Sequence, residues 1–144
     1  MPYQKVLIAV DGSEHSISAA EHGVNLSSQL GASIAVVFVI DTSKVNNEGK
    51  SGRLPQVQIA KLKAEADKII DGIAKQINAK KFERFLPEGK ASKGIVSIAS
   101  DWGADLIIMG TRGKTGIKRL ILGSTAENTI RLSNTPVLIV PSKS

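Results

Sequence analysis

The stretch QKVLIAVDGS, residues 4–13, carries the pattern that decides the fold. Its nearly unbroken apolar run, Gln4–Val10, predicts a strand buried on both faces, as strands are in the interior of a parallel sheet. The dipeptide Asp11-Gly12 ends the run. Ser13 then stands where an N-cap is preferred, so the pattern predicts a buried strand that is followed directly by a helix.

The rest of the chain repeats this alternation. Apolar runs predict buried strands, and a weaker alternating segment predicts an edge strand; these lie at 33–40, 105–109, 136–140 and, for the edge strand, 81–86. Apolar residues spaced by three and four predict helices at 14–30, 55–77, 91–102 and 124–132. The polar residues 41–54 predict a long loop.

The resulting order, β-α-β-α-β-α-β-α-β, predicts one α/β domain over residues 1–144. Its expected form is a doubly wound, five-stranded parallel sheet with helices on both faces. Right-handed crossovers restrict the topology, and we expect the strand order 3-2-1-4-5. That order brings the carboxyl ends of strands 1, 2 and 4 to one crevice, where such sheets bind ligands.

Composition excludes several kinds of site. The 144 residues contain no cysteine and only two histidines, His15 and His22, which excludes a disulfide framework and a thiol nucleophile and disfavours a zinc site. The N-terminal apolar run is too short for a signal peptide or a membrane span. We therefore expect a soluble, cytoplasmic protein without a membrane partner.

Positive charge is concentrated in GTRGKTGIKRLILGS, residues 110–124, within a chain of formal net charge +6. The letters GKT suggest a P-loop, but Ile108 occupies the position where a P-loop requires its first glycine. Gly110 and Gly113 instead allow a tight turn and a close backbone approach to a ligand. Gly123 and Ser124 open a helix, whose free N–H groups favour an anion; Ser124 could cap that helix or bind a phosphate oxygen.

This spacing, Gly-x2-Gly-x9-Gly-Ser, resembles the ATP-binding motif of the universal stress protein family. The likeness extends over nearly the whole chain, through VLIAVDGS, VFVID, GADLIIMGTRG and LILGSTAENTIRLSNTPVLIVP. It implies a flavodoxin-like fold, a cytoplasmic stress-response protein that binds ATP, and a homodimer. The dimer would be joined through the last strand, at Val137, Leu138, Ile139 and Val140.

The resemblance also implies which residues contact the nucleotide. The adenine slot would fall on Ala9, Val10, Asp11 and Val39, and the ribose near Asp11 and Gly110. The phosphates would fall on Arg112, Gly113, Gly123, Ser124 and Thr125, and Met109 belongs to the same candidate set. A divalent ion, Mg²⁺ or Mn²⁺, would be held through the phosphates, without a metal site of the protein's own.

Several functions remain open from the residues alone. The leading hypothesis is an ATP-dependent regulatory switch acting on an unknown protein partner, with no catalytic residues and at most slow hydrolysis. The alternative is an ATP hydrolase or nucleotidyl transferase that uses Asp11 with Arg112 and Lys114. A nucleic-acid binder and a flavin carrier are disfavoured, because one Trp, one Tyr and three Phe offer little stacking surface.

Overall fold

The computed structural model describes residues 3–42, 55–111 and 122–142. Strands and helices alternate as the sequence predicts: β1 Lys5–Ala9, α1 Glu14–Leu30, β2 Ser33–Val37, α2 Pro55–Gln76, β3 Glu83–Phe85, α3 Ala91–Trp102, β4 Leu106–Gly110, α4 Ser124–Leu132 and β5 Val137–Val140. Most of the predicted 41–54 loop and the middle of the basic segment, residues 112–121, lie outside the described residues.

The five strands form one parallel sheet in the order β3-β2-β1-β4-β5, which confirms the predicted topology. Successive residues of β1 enter opposite core layers. Ile8 packs with residues of α1 and α2, whereas Leu7 packs with residues of α3 and α4. Helices therefore cover both faces of the sheet, and both central strands are almost completely buried.

Local capping explains where α1 begins and ends. Ser13 is its N-cap, as predicted, because the Ser13 side chain accepts a hydrogen bond from the Ser16 N–H at 3.2 Å. At the other end, Gly31 has a φ of 67°, a left-handed conformation that glycine adopts without strain. Asp11 belongs to the turn before the helix, where its Oδ1 accepts the Ser13 N–H at 2.9 Å. This turn fixes Asp11 at the carboxyl end of β1.

One predicted cap and one predicted strand boundary are wrong in ways that matter for the site. The cap residue of α4 is Gly123, and Ser124 is already the first helical residue, so Ser124 does not cap the helix. The regular part of β2 ends at Val37 rather than Ile40. Beyond it, the described chain stays bonded on one side only: the Phe38 N–H donates to the carbonyl of Phe85, the last residue of β3, and the Ile40 N–H donates to the Pro87 carbonyl.

Helix α2 is attached to the edge strand by charged groups. The Arg84 guanidinium pairs with Asp71 at 2.9 Å and with Asp67 at 3.2 Å. Partial burial would lower the pKa of Arg84, but hydrogen bonds and attraction from the two carboxylates outweigh this effect and raise it. Arg84 therefore stays charged at any physiological pH. In the described parts of the chain, no helix is both long and apolar enough to cross a membrane.

Candidate functional site

A cleft opens where β1, β2 and β4 end, at the edge of the sheet where a nucleotide site is predicted. It contains about 550 Å³ of space, part of which is open to solvent. Its lining residues are Ala9, Val10, Asp11, Ser16, Val37, Val39, Ala91, Ile95, Met109, Gly110, Gly123, Thr125 and Ala126.

Most of the predicted contact residues meet in this cleft. The predicted residues that line it are Ala9, Val10, Asp11, Val39, Met109, Gly110, Gly123 and Thr125. Ser124 is exposed at the start of α4 and does not line the cleft, although both of its chain neighbours do. Arg112 and Gly113 lie outside the described residues.

Sequence reasoning missed five lining residues, which are Ser16, Val37, Ala91, Ile95 and Ala126. Val37 could have been found, because it lies two residues before Val39 and alternate residues of an extended segment share a face. The pair Ala91 and Ile95 is spaced by one helical turn, but nothing in the sequence shows that α3 reaches the cleft. The far wall of the cleft therefore became visible only in the structure.

The two ends of the glycine-containing segment are joined by a backbone hydrogen bond. The Gly123 N–H donates to the Thr111 carbonyl at 2.7 Å. This bond holds the carboxyl end of β4 beside the start of α4, so that Gly110 and Gly123 line the same cleft. The two halves of the motif, which are far apart in the sequence, thus form one side of the site.

Gly110 has a structural role that the sequence did not reveal. A Cβ atom at this position would lie 2.8 Å from the His15 carbonyl oxygen and 3.0 Å from its carbonyl carbon. Real Cβ atoms essentially never come so close to backbone atoms. Glycine is therefore required here by the packing of β4 against the first turn of α1, independently of any ligand.

The start of α4 provides hydrogen-bond donors at the cleft. Within the helix, the first backbone bond to the cap runs from the Glu127 N–H to the Gly123 carbonyl, at 3.0 Å. The N–H groups of Ser124, Thr125 and Ala126 precede this bond and lie in the first turn, where a helix leaves its N–H groups without helical partners; in the described chain no side-chain cap is made at Gly123. These donors and the positive end of the helix dipole favour an anion beside Gly123 and Thr125.

The backbone of Val39 faces the opposite side of the cleft. The N–H groups of its neighbours Phe38 and Ile40 point toward Phe85 at the end of β3 and toward Pro87. Because successive residues of an extended chain direct their polar groups to opposite sides, those of Val39 point toward β1. The last bond on that side is from the Val10 N–H to the Val37 carbonyl, at 3.0 Å, after which β1 leaves the sheet. Among the described residues, neither the N–H nor the carbonyl of Val39 has a backbone partner.

Asp11 supplies the carboxylate of the cleft. Its Oδ1 accepts the Ser13 N–H, whereas Oδ2 has no hydrogen-bond partner within the described ranges. No group of three or more His, Cys, Asp or Glu side chains that could hold a metal ion occurs in those same ranges. His22 is exposed, and a ring nitrogen of His15 lies 2.6 Å from the Ser142 hydroxyl, so neither histidine joins Asp11 in a ligand set.

A second cavity lies under α2, on the other face of the sheet. Its lining is entirely apolar and includes Ile8, Val24, Ile73 and Phe82. It contains no group that could orient a polar ligand, and its residues belong to the core between α1, α2 and the sheet. The cleft at the strand ends is therefore the candidate functional site.

Known proteins resemble the chain over its whole length. Universal stress protein MJ0531 of Methanocaldococcus jannaschii is 37% identical over 141 residues, which cover 96% of this chain and 82% of that protein. The solved structure of MJ0577, from the same organism, is 32% identical with a TM-score of 0.86 and covers 100% of this chain and 99% of its own. A universal stress protein in complex with cAMP is 25% identical with a TM-score of 0.67, covering 99% and 100% of the two chains.

The family itself can be assigned on two grounds. Residues 2–141 match the universal stress protein family. The same family name belongs to the relatives that share at least 30% identity with nearly all of this chain. On this evidence, and with the flavodoxin-like sheet order that the sequence predicts, the chain belongs to the universal stress protein family.

Proposed function

We propose that this chain is an ATP-binding regulatory protein of the stress response that acts in the cytoplasm. The observation that carries the proposal is the cleft, which brings together a helix N-terminus, a carboxylate, and a backbone donor and acceptor without backbone partners among the described residues. A nucleotide has chemistry to match each of these features: an anionic end, vicinal hydroxyls and a flat heterocycle with hydrogen-bonding edges.

The purine would lie between the apolar walls, next to Val39. An N–H donor and a carbonyl acceptor on one residue complement the ring nitrogen and the exocyclic amino group of adenine. Val37, Ile95 and Met109 supply apolar surface for the faces of the ring. Oδ2 of Asp11, which makes no hydrogen bond to the described residues, would accept hydrogen bonds from the ribose hydroxyls.

The phosphates would lie at the start of α4, beside Gly123, Ser124 and Thr125. From the motif, Arg112 and Gly113 would contribute further phosphate contacts. The described carboxylates and histidines do not gather into a metal site, so a Mg²⁺ or Mn²⁺ ion would be held mainly through phosphate oxygens and water, as is usual for Mg²⁺ with nucleotides.

The regulatory role follows from linkage. A ligand that binds only the folded state stabilises it, and a ligand that prefers one conformation changes the surface available to a partner protein. That partner is unidentified. The universal stress protein with bound cAMP supports a nucleotide as the ligand class, because it shares the fold and a quarter of the sequence with this chain.

A direct test is to identify the small molecule that copurifies with the protein and to measure ATP binding by calorimetry with Mg²⁺ present. We expect wild-type protein to bind ATP, and Asp11→Ala to bind it about fivefold more weakly through loss of the ribose hydrogen bonds. Asp11→Asn is the matched control, because its Oδ1 still accepts the Ser13 N–H. A wild-type protein that carries no nucleotide and binds none would contradict the proposal.

The proposed switch can be separated from an enzyme by turnover. Beyond Asp11, the described lining of the cleft contains no carboxylate, histidine or lysine that could serve as a general base. We therefore expect ATP consumption far below about one per second, a rate at the low end of ordinary enzymes. Faster consumption that is lost in Asp11→Ala would support a hydrolase or transferase instead.

We also propose that the protein is a homodimer joined along β5. This four-residue strand, Val137–Val140, forms one edge of the sheet and is apolar throughout. The unpaired N–H and carbonyl groups of an uncovered apolar edge strand can pair with another chain, and in a symmetric dimer the two edge strands cover each other. Light scattering is expected to give a mass of twice 15.2 kDa. A mass of 15.2 kDa at all concentrations would contradict the dimer.

A further inference from the structure

We infer that Gly94 is a positioning residue that sets the place of Val39 in the wall of the cleft. Gly94 lies in α3 and is buried, but it does not itself line the cleft. The inference rests on the proposed function, in which the backbone N–H and carbonyl of Val39 would form hydrogen bonds with the purine. It extends that function by explaining what holds this backbone in place.

The side chain of Val39 sits in the notch that the missing Cβ of Gly94 leaves on α3. A Cβ at position 94 would lie 2.8 Å from Cγ2 of Val39 and 3.1 Å from Cγ1. The next nearest atom, Cγ of Pro87, would be at an ordinary 3.4 Å. Val39 is thus the group that α3 touches most closely at this point.

Rotation of the valine side chain relieves such a contact only in part. Both methyl groups face the notch, and a valine places two methyl groups in only three staggered positions. Any rotation therefore leaves at least one methyl group there, and β-branched side chains resist rotation in any case. An added methyl group at position 94 would have to displace α3 or the backbone of Val39.

The backbone of Val39 can yield more readily than that of its neighbours. Phe38 is held by a bond to Phe85 at the end of β3 and Ile40 by a bond to Pro87, whereas Val39 has no backbone partner in the described chain. On α3, Ile95 is buried in the core on this face of the sheet, and Ala91 lines the cleft. A methyl group on residue 94 would therefore move the Val39 N–H and carbonyl relative to both the base and the far wall.

The test compares Gly94→Ala with Gly23→Ala in the full-length protein. Gly23 is the matched control because a Cβ there would meet a core side chain equally closely, at 2.8 Å from Cδ1 of Ile8, on the other face of the sheet. Binding of ATP and of inorganic triphosphate would be measured by calorimetry for each protein. Triphosphate reports the phosphate end of the cleft alone.

We expect Gly94→Ala to weaken ATP binding by about three- to tenfold, the worth of one or two hydrogen bonds, and to change triphosphate binding by less than about twofold. Gly23→Ala should lose about as much stability as Gly94→Ala, but both of its affinities should stay within about twofold of wild type. The inference is overturned if Gly94→Ala binds ATP like wild type, or loses ATP and triphosphate equally. If the wild-type protein itself binds no ATP, both the proposed function and this inference are overturned.

A second variant keeps the inference testable if Gly94→Ala folds poorly. In Gly94→Ala/Val39→Ala the two methyl groups that meet the new Cβ are gone, while the backbone of residue 39 remains. We expect the double variant to melt at a higher temperature than Gly94→Ala and to bind ATP more tightly than it does, since residues in contact have non-additive effects. Strictly additive effects on melting temperature would overturn the inference.

Discussion

Gly110→Ala should destabilise the fold more than any other single methyl group added at a described glycine. The new Cβ would lie 2.8 Å from the His15 carbonyl oxygen, and both atoms of that carbonyl belong to helical backbone that cannot rotate away. Overpacking a core of this kind costs about 1–3 kcal/mol. We expect the loss of unfolding free energy, measured in urea, to lie in the upper part of that range. In thermal unfolding, the melting temperature should be lower by about 8 °C.

Gly72→Ala is the control for that measurement. Gly72 is an exposed residue inside α2, and a Cβ there would have no neighbour within 4 Å. Alanine in a helix interior is favoured over glycine by about 0.5–1 kcal/mol, so this variant should be more stable than wild type. Equal stability of the Gly110→Ala protein and wild type would mean that β4 and α1 are not packed as closely as described.

Ser124→Glu should have the largest effect on ATP binding. Ser124 is the first residue of α4 and is exposed, so a longer side chain meets no core atom. A carboxylate there would stand beside the phosphates and repel them by about 1 kcal/mol or more per phosphate charge at contact distances. We expect binding to weaken by between about ten- and a hundredfold, and the loss to shrink as salt is raised.

The same substitution should stabilise the unliganded protein. A negative charge in the first turn interacts favourably with the helix dipole, by about 0.3–1 kcal/mol. Opposite changes in melting temperature and in ATP affinity are therefore the expected signature. Ser124→Gln has the same shape without the charge and should show neither change. If the Glu and Gln variants bind ATP equally well, the phosphates do not lie at the start of α4.

The fold was predictable because its signals are local. An apolar run such as residues 4–10, a serine cap at Ser13 and a left-handed glycine at Gly31 each act within a few residues of the chain. Alternation of such elements then leaves few sheet orders, and the observed order is the predicted one. The irregular end of β2 was not predictable, because its partners are Phe85 at the end of β3 and Pro87 just after it.

The site was predictable on one side only. Asp11, Gly110 and Gly123 follow a strand or precede a helix, so their place at the edge of the sheet can be read from the sequence. Ala91 and Ile95 are ordinary apolar helix residues, and whether they face core or cleft depends on how α3 packs. The close packing of Gly110 against the backbone of His15 could not be predicted, because His15 is distant in the sequence.

The unpaired backbone of Val39 has a consequence for how this site can change over time. Every amino acid except proline brings the same N–H and carbonyl to a given position, so a substitution at position 39 alters the width of the cleft and leaves both groups in place. Recognition of a base by backbone groups therefore requires no particular amino acid at position 39. In the proposed binding mode, two proteins could thus hold the same purine in the same manner with different residues here, and a library of substitutions at position 39 could change the width of the pocket while both hydrogen-bonding groups remain.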